Sequence, residues 1–252
     1  MRIYIPTFGR ADKQITIQNL PPRYVEKTWF VIRESEVDAF SHYPRVIVCP
    51  KKGVPAARQT IIEYEEEIAF MFDDDLKFAK RTPDWTFENP KLVPASPEDV
   101  GQAIDQMVKD LREESHLGAV GFGARGFNNG KRDHPYREND RMMMAFAVYT
   151  PLLKELGIRF DKFDFWEDFH VALELMKHGF KNRIYTKWVQ NATTNSSGGV
   201  STYRNRARLT EVRKEFVKYH APYVTPVEKS VEGWANVTES TMPDVRIDWR
   251  KV

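Results

Sequence analysis

The sequence predicts an α/β protein with a mainly parallel central sheet flanked by helices. Short apolar segments typical of strands alternate with segments that carry helix start and stop signals. Residues 68–72 are all apolar, as expected of a strand covered on both faces, and they run directly into Asp73, Asp74 and Asp75. In open α/β sheets, ligands bind beyond the carboxyl ends of the strands. We therefore expect the functional site at this acidic triplet.

The elements follow in order along the chain. Residues 2–5 form a predicted strand ended by Pro6, and 11–20 a helix stopped by two prolines. Further strands are predicted at 28–32, 45–49, 117–122, 142–148 and 183–189. Helices are predicted from Gly53 to about 64, 96–115, 150–157, 163–179 and 202–220. The helix at 96 has the clearest signal, because Ser96 is a good N-cap and Pro97 suits the first helical position.

The length and composition of the chain indicate its domain organisation. The chain has 252 residues, of which 41% are hydrophobic, and a single cysteine, Cys49. We expect one main domain over residues 1–200 and a basic helical extension over 201–252 that packs on it. A lone cysteine excludes a disulfide framework. No apolar run is long enough for a signal peptide or a bilayer span, so we expect a cytoplasmic protein without a membrane partner.

Two clusters of acidic residues are candidates for metal binding and catalysis. Adjacent aspartates at 73–75 repel one another unless a cation relieves them, and Mg²⁺ or Mn²⁺ prefers such oxygen ligands. A solvated acidic turn is the alternative. Glu167 and Asp168 open a later helix, where acids can simply stabilise the first turn. Because neighbouring helical residues point about 100° apart, at most one of the pair faces a cleft, where it would suit a general base.

Basic and polar residues suggest the ligands. Arg58 lies just inside a helix start and could hold a phosphate or a nucleotide base, although a surface helix residue is the alternative. Thr7, Gly9 and Arg10 follow the first strand and could likewise receive a nucleotide.

Residues 181–220 hold nine Lys/Arg against two Glu, a net charge of +7, with aromatic residues between them. This pattern suits DNA, with Tyr203, Arg204, Arg206 and Arg208 as candidate contacts. A solvated basic helix is the alternative, and some of these cations could instead neutralise a bound diphosphate.

The order of these motifs resembles the GT-A class of nucleotide-sugar glycosyltransferases over roughly residues 1–180. The motifs are Pro-Thr-Phe-Gly-Arg, Gly-Val-Pro-Ala-Ala-Arg, the acidic triplet and Trp-Glu-Asp. The resemblance implies that Asp75 and Asp73 hold Mn²⁺ or Mg²⁺. It implies that a nucleotide-sugar, expected to be a UDP-sugar, contacts Thr7, Gly9, Arg10, Arg58, Asp73 and Asp74. It implies that Asp168, beside Glu167, is the base of an inverting reaction. Val189-Gln190-Asn191 stands where many members carry a metal-binding histidine, so the third metal ligand is open.

The segments 121–128 and 197–204 also resemble the TET-associated glycosyltransferases of bacteriophages. That likeness implies transfer of a sugar to a hydroxymethylated pyrimidine in phage DNA, inside the host cytoplasm. The residues alone leave other functions open. A GT-A enzyme with another acceptor, a metal-dependent phosphoryl- or nucleotidyltransferase, a nuclease and a non-catalytic nucleic-acid-binding domain would all suit clustered carboxylates beside cations.

Overall fold

The structure is a computed structural model that describes residues 1–82, 91–125, 134–192, 205–231 and 239–252. The strands are β1 (Arg2–Pro6), β2 (Thr28–Arg33), β3 (Val46–Cys49), β4 (Ile68–Phe72), β5 (Leu76–Arg81), β6 (Leu92–Pro94), β7 (Leu117–Ala124), β8 (Tyr136–Glu138), β9 (Ala145–Tyr149), β10 (Lys181–Ala192), β11 (Val224–Ser230) and β12 (Thr241–Ile247). The helices are α1 (Ile15–Gln18), α2 (Pro22–Val25), α3 (Val54–Tyr64), α4 (Pro97–Glu113), α5 (Thr150–Glu155), α6 (Glu167–Lys177) and α7 (Arg206–Tyr219).

Within the described ranges, ten strands form one sheet. Nine of them lie in the order β3-β2-β1-β4-β9-β7-β10-β5-β6, and β8 pairs with β10. The amino-terminal half, β3-β2-β1-β4, is parallel throughout, as is the pair β7 and β10. The strands β9, β5, β6 and β8 pair antiparallel with their neighbours. The predicted α/β class is confirmed, and the antiparallel strands enlarge the sheet beyond its parallel half.

The sheet has an apolar cluster on each face because alternate residues of its strands point to opposite sides. On β4, Ile68, Phe70 and Phe72 belong to one cluster, while Ala69 and Met71 belong to the other. All five side chains are fully buried. This burial on both faces explains why the strand is apolar at every position. The acidic triplet follows the strand and so lies at the carboxyl edge of the sheet.

The helix predicted from Ser96 begins as expected. The side chain of Ser96 accepts a hydrogen bond from the backbone N–H of Asp99, and the Asp99 side chain accepts one from the Ser96 backbone. By contrast, the helix predicted over 11–20 is reduced to the single turn of α1. Its first two backbone N–H groups, of Ile15 and Thr16, donate to the carbonyl of Asp74. The start of α1 is therefore hydrogen-bonded to the acidic triplet, and the segment forms only one helical turn.

A third apolar cluster joins the carboxyl-terminal segments to α6. Phe169 and Leu173 of α6 meet Leu209 and Phe216 of α7, and the hairpin of β11 and β12 closes over them. The sequence predicts only a basic helix in this region, whereas the structure adds the two-stranded hairpin. Among the described residues, no helix is long and apolar enough to cross a bilayer.

Candidate active site

A cleft of about 470 Å³ opens at the carboxyl edge of the parallel strands. Its floor is formed by the residues that follow β1 and β4, including Thr7, Arg10 and the acidic triplet. The start of α3 with Arg58 and the start of α6 with Glu167 and Asp168 form its sides. The structure therefore brings together residues that are far apart in the sequence. Gly9 does not line the cleft, and its N–H donates to Glu36 Oε1 at 2.6 Å.

Thr16 hydrogen-bonds to the backbone of the turn that carries the acidic triplet. The Thr16 hydroxyl donates to the carbonyl of Asp73 at 2.5 Å and accepts from the N–H of Leu76 at 2.9 Å. The N–H of Asp73 donates to the carbonyl of Met144 at 2.8 Å. These contacts satisfy the backbone of the turn, and they fix the directions in which the three carboxylates leave it.

Asp74 is bonded to its own chain. Its two carboxylate oxygens accept from Thr7 Oγ1 and from Arg10 Nη1, each at 2.5 Å. The Asp74 residue is only 4% exposed. Burial raises the pKa of the carboxyl group, while the bonds from Thr7 and Arg10 act to lower it. Gln14 supports this arrangement by donating to Thr7 Oγ1 at 3.0 Å. Asp74 thus fastens the loop after β1 to the acidic triplet.

Asp73 and Asp75 present carboxylates to the cleft. The Asp73 side chain is 35% exposed and accepts from Arg58 Nη2 at 3.1 Å. Asp75 accepts from Arg10 Nη1 at 3.2 Å. Desolvation by the surrounding protein raises the pKa of the Asp73 carboxyl to about 7. The negative charges of Asp75, Asp74 and Glu167 add to this rise, whereas the positive charge of Arg58 opposes it. Three carboxylates therefore lie close to Asp73, and carboxylate oxygens grouped in this way suit a divalent cation.

Arg58 is the buried cation between the two acidic groups. Its side chain is 5% exposed, and Nη1 donates to Glu167 Oε1 at 2.8 Å while Nη2 donates to Asp73. Burial acts to lower its pKa, but Glu167, Asp73 and Asp168 together raise it above the ordinary arginine value. The sequence suggests Arg58 as a contact for a nucleotide. In the structure its guanidinium is already engaged in joining α3 to α6.

Asp168 lies in the first turn of α6, where its Oδ1 accepts from the N–H of Phe169 at 2.9 Å. Burial raises its pKa, and Arg58 and Arg141 act to lower it. Glu167 is paired with Arg58, whereas Asp168 lines the cleft and forms no ion pair within 4 Å with another of the described residues. A carboxylate with a raised pKa at the wall of a cleft can accept a proton.

Several cleft residues are absent from the sequence prediction. Arg33, Lys51, Arg141 and Lys229 add positive charge to its walls. The Arg33 guanidinium lies over the ring of Phe8, with its Cζ 3.6 Å from the ring centroid. None of these residues belongs to a local motif, and they reach the cleft from four separate segments. Only the strand order and the position of the hairpin bring them together.

Two of the four candidate DNA contacts, Arg206 and Arg208, form ion pairs within the protein. Arg206 Nη2 donates to Glu228 Oε2 at 3.0 Å, and Arg208 forms ion pairs with Asp164 and Glu211. Within the same basic stretch, Arg183 is buried against Asp110 and other acids. The net charge counted along the sequence is therefore partly matched by acids from other segments. Tyr203 and Arg204 lie outside the described residues.

Comparison with known proteins gives the family. The sequence model of the TET-Associated Glycosyltransferase family matches residues 1–199. A search of curated proteins found no match. Of the two segments that suggest this family in the sequence, residues 126–128 and 197–204 lie outside the described residues.

Solved structures show the fold. Glucosyl-3-phosphoglycerate synthase from Mycobacterium tuberculosis, in complex with Mg²⁺ and UDP, is 10% identical with a TM-score of 0.52 over 98% of this chain and 86% of that one. The same enzyme with Mn²⁺, UDP and glucosyl-3-phosphoglycerate is 11% identical with a TM-score of 0.53 over the same shares. GalNAc-T7 with UDP, GalNAc and Mn²⁺ is 11% identical with a TM-score of 0.54 over 86% of this chain and 48% of that one. The match over residues 1–199, together with the GT-A fold, shows that the chain belongs to the TET-associated glycosyltransferase family and is a glycosyltransferase.

Proposed function

We propose that this glycosyltransferase transfers a sugar from a UDP-sugar to the hydroxyl group of a hydroxymethylated pyrimidine in DNA. The observation that carries the proposal is the arrangement of the cleft. Asp73 and Asp75 line it at the end of β4, Asp168 lines it at the start of α6, and Arg58 lies between the two groups. A site of this kind can hold a charged donor at one end and remove a proton from an acceptor at the other.

Asp73 and Asp75 would hold Mn²⁺ or Mg²⁺, whose hard-oxygen preference their carboxylates meet. The grouping of Asp74, Asp75 and Glu167 near Asp73 supports this assignment, because a bound divalent cation would relieve the repulsion among these carboxylates. When bound, the ion would neutralise charge on a diphosphate leaving group. The solved structures with a similar fold contain UDP together with Mg²⁺ or Mn²⁺, which favours a UDP-sugar as the donor. Arg10 stays close to both Asp74 and Asp75 and so keeps the acidic triplet from being a purely negative surface.

Asp168 would act as the general base. As the bond between the sugar and the diphosphate breaks, the acceptor hydroxyl attacks the anomeric carbon and its proton passes to a carboxylate oxygen of Asp168. Burial raises the pKa of this carboxyl, which makes its oxygen a better proton acceptor. Arg58 would hold Glu167 away from the acceptor, so only one of the two neighbouring acids would take part in proton transfer.

The DNA acceptor rests on the name of the family and on the resemblance of the sequence. One observation favours a second candidate, a smaller hydroxylated acceptor. Arg206 and Arg208, two of the candidate DNA contacts, are held in ion pairs with Glu228 and Asp164. A DNA strand would have to displace these carboxylates before it could use either cation.

The test is direct transfer measured by mass spectrometry. The protein is incubated with MnCl₂, a panel of UDP- and GDP-sugars, and oligonucleotides that contain 5-hydroxymethylcytosine, 5-hydroxymethyluracil or only unmodified bases. We expect the mass of one sugar to be added to a modified oligonucleotide, and EDTA to abolish the reaction. Donor hydrolysis that depends on metal, without transfer to any oligonucleotide, would favour the smaller acceptor. No turnover of any sugar nucleotide would refute the proposed donor.

A further inference from the structure

Trp166 has a backbone conformation that tryptophan rarely adopts. Its φ of 60° and ψ of 29° are left-handed, a region that favours glycine. The residue is the N-cap of α6, and its own side chain does not cap the helix. Glu167 and Asp168 follow directly. The conformation of Trp166 therefore sets the direction from which both carboxylates enter the cleft.

The indole of Trp166 is fixed by the carboxyl-terminal hairpin. Its Nε1–H donates to Asp244 Oδ1 on β12 at 2.8 Å, across 78 positions of sequence. The same oxygen accepts the N–H of Val245 at 2.9 Å, which holds the Asp244 side chain in place. The ring of Trp166 also packs against Phe216 of α7, with centroids 5.7 Å apart. Two elements beyond residue 199 thus hold the residue that begins α6.

The hairpin also forms part of the cleft itself. Lys229, Val231, Met242, Pro243 and Asp244 line it, on the same side as Trp166. The Asp244 side chain is 20% exposed, and its Oδ2 lies 3.8 Å from Lys229 Nζ. The hairpin is therefore both a wall of the cleft and the support of the N-cap of α6. The family match ends at residue 199, before any of these residues.

We propose that Asp244 is a positioning residue of the transferase, which holds Trp166 and thereby directs Asp168 into the cleft. The role given to Asp168 rests on the proposed function, whereas the support of the α6 N-terminus by Asp244 does not. The residues that would bind the donor follow β1 and β4 or lie on α3, whereas Asp244 lies on β12 and bonds the residue that precedes α6. Loss of the Asp244 contact should therefore impair transfer and spare donor binding.

The first experiment measures the support directly, by hydrogen exchange of the backbone amides. In Asp244→Ala and in Trp166→Phe, we expect the amides of Phe169 and His170 to exchange at least tenfold faster than in the wild type. Amides of α3 should be unchanged. Asp244→Asn keeps an acceptor oxygen for the indole and should exchange like the wild type. Asp248→Ala is the matched control, since Asp248 is an exposed acid just after β12 that pairs with Lys251. Unchanged exchange in the first turn of α6 in both variants would overturn the proposal.

The second experiment measures the consequence for turnover. With UDP-sugar, Mn²⁺ and the acceptor that the wild type uses, we expect kcat of Asp244→Ala to fall at least tenfold, and the Kd for UDP to change less than twofold. Trp166→Phe should behave alike, and the double variant should lose no more than either single one, because both remove the same bond. A kcat equal to that of Asp248→Ala would overturn the proposal. If the wild type has no turnover at all, the proposed function fails, and the exchange result still decides the role of Asp244.

Discussion

Arg58 and Glu167 are 109 positions apart in the sequence, yet Arg58 Nη1 donates to Glu167 Oε1 at 2.8 Å. The other terminal nitrogen of the same guanidinium donates to Asp73. A single buried cation thus links the helix after β3, the acidic triplet after β4 and the beginning of α6.

Removing this cation should destabilise the protein. In Arg58→Ala, Glu167 and Asp73 lose their buried partner, and we expect the free energy of unfolding to fall by about 3 kcal/mol, the usual cost of breaking a buried ion pair from one side. Chemical denaturation measures the loss. Arg159→Ala is the control, because Arg159 is a half-exposed surface partner of Glu63 and Asp161 and should cost less than about 1 kcal/mol. Equal losses in the two variants would show that Arg58 is not the link we describe.

The acids of the triplet should differ in their effects. Asp75→Ala should abolish the Mn²⁺-dependent binding of UDP with little loss of stability, because it removes a carboxylate that lines the cleft. Asp74→Ala should lower the melting temperature, because it removes the acceptor of the buried Thr7 hydroxyl and one of the acceptors of Arg10. Isothermal titration with UDP and Mn²⁺, together with thermal unfolding, separates the two effects. An Asp75→Ala protein that binds UDP and Mn²⁺ like the wild type would exclude Asp75 as a metal ligand.

A buried histidine pair should contribute a loss of stability in mild acid. His170 Nδ1 lies 3.0 Å from His220 Nε2, and Lys177 Nζ lies 3.0 Å from His220 Nδ1. Burial lowers the pKa of His170 to about 4 and that of His220 to about 2. The unfolded chain, with ordinary histidine pKa values near 6.5, binds more protons than the folded one below that pH. The folded state therefore loses up to about 1.4 kcal/mol per pH unit for each imidazole as the pH falls from about 6.5 towards 4.

The measurement is the free energy of unfolding between pH 7 and pH 4. His220→Gln should flatten this dependence, because it removes one of the two groups that gain a proton on unfolding. His178→Gln is the control, since His178 is an exposed residue at the end of α6. If the slope in His220→Gln equals that of the control, the pair does not cause the acid sensitivity.

The sequence predicts the elements whose signals are local. The apolar run of β4 and the cap formed by Ser96 and Asp99 depend only on neighbouring residues, and the structure shows both. The hairpin of β11 and β12 carries Pro226 and Pro243 and many polar residues, which argue against strands. It forms because its apolar side chains, such as Val224 and Met242, cover α6 and α7. Such an element is determined by tertiary packing, so a local pattern cannot reveal it.

In the candidate site, too, some residues can be predicted from local sequence and others cannot. Asp73, Asp75 and Asp168 belong to acidic motifs that are visible in the sequence, and the structure gathers all three at one cleft. The pairing of Arg58 with Glu167 and the approach of Trp166 to Asp244 depend on contacts across more than 70 positions. The sequence alone cannot show how much of the charge of residues 181–220 is free, because some of the acids that match it, among them Asp110 and Asp164, come from other parts of the chain.

The most direct test is sugar transfer to a 5-hydroxymethylcytosine oligonucleotide by the wild type and by Asp168→Asn, with the anomeric product determined by NMR. Asparagine keeps the size of the side chain but cannot take up the proton. We expect inversion at the anomeric carbon, a fall in kcat of about 10²-fold or more and nearly unchanged donor affinity. Glu167→Gln should lose less, because Glu167 is held by Arg58. Inversion with full activity in Asp168→Asn would contradict the account and exclude Asp168 as the base.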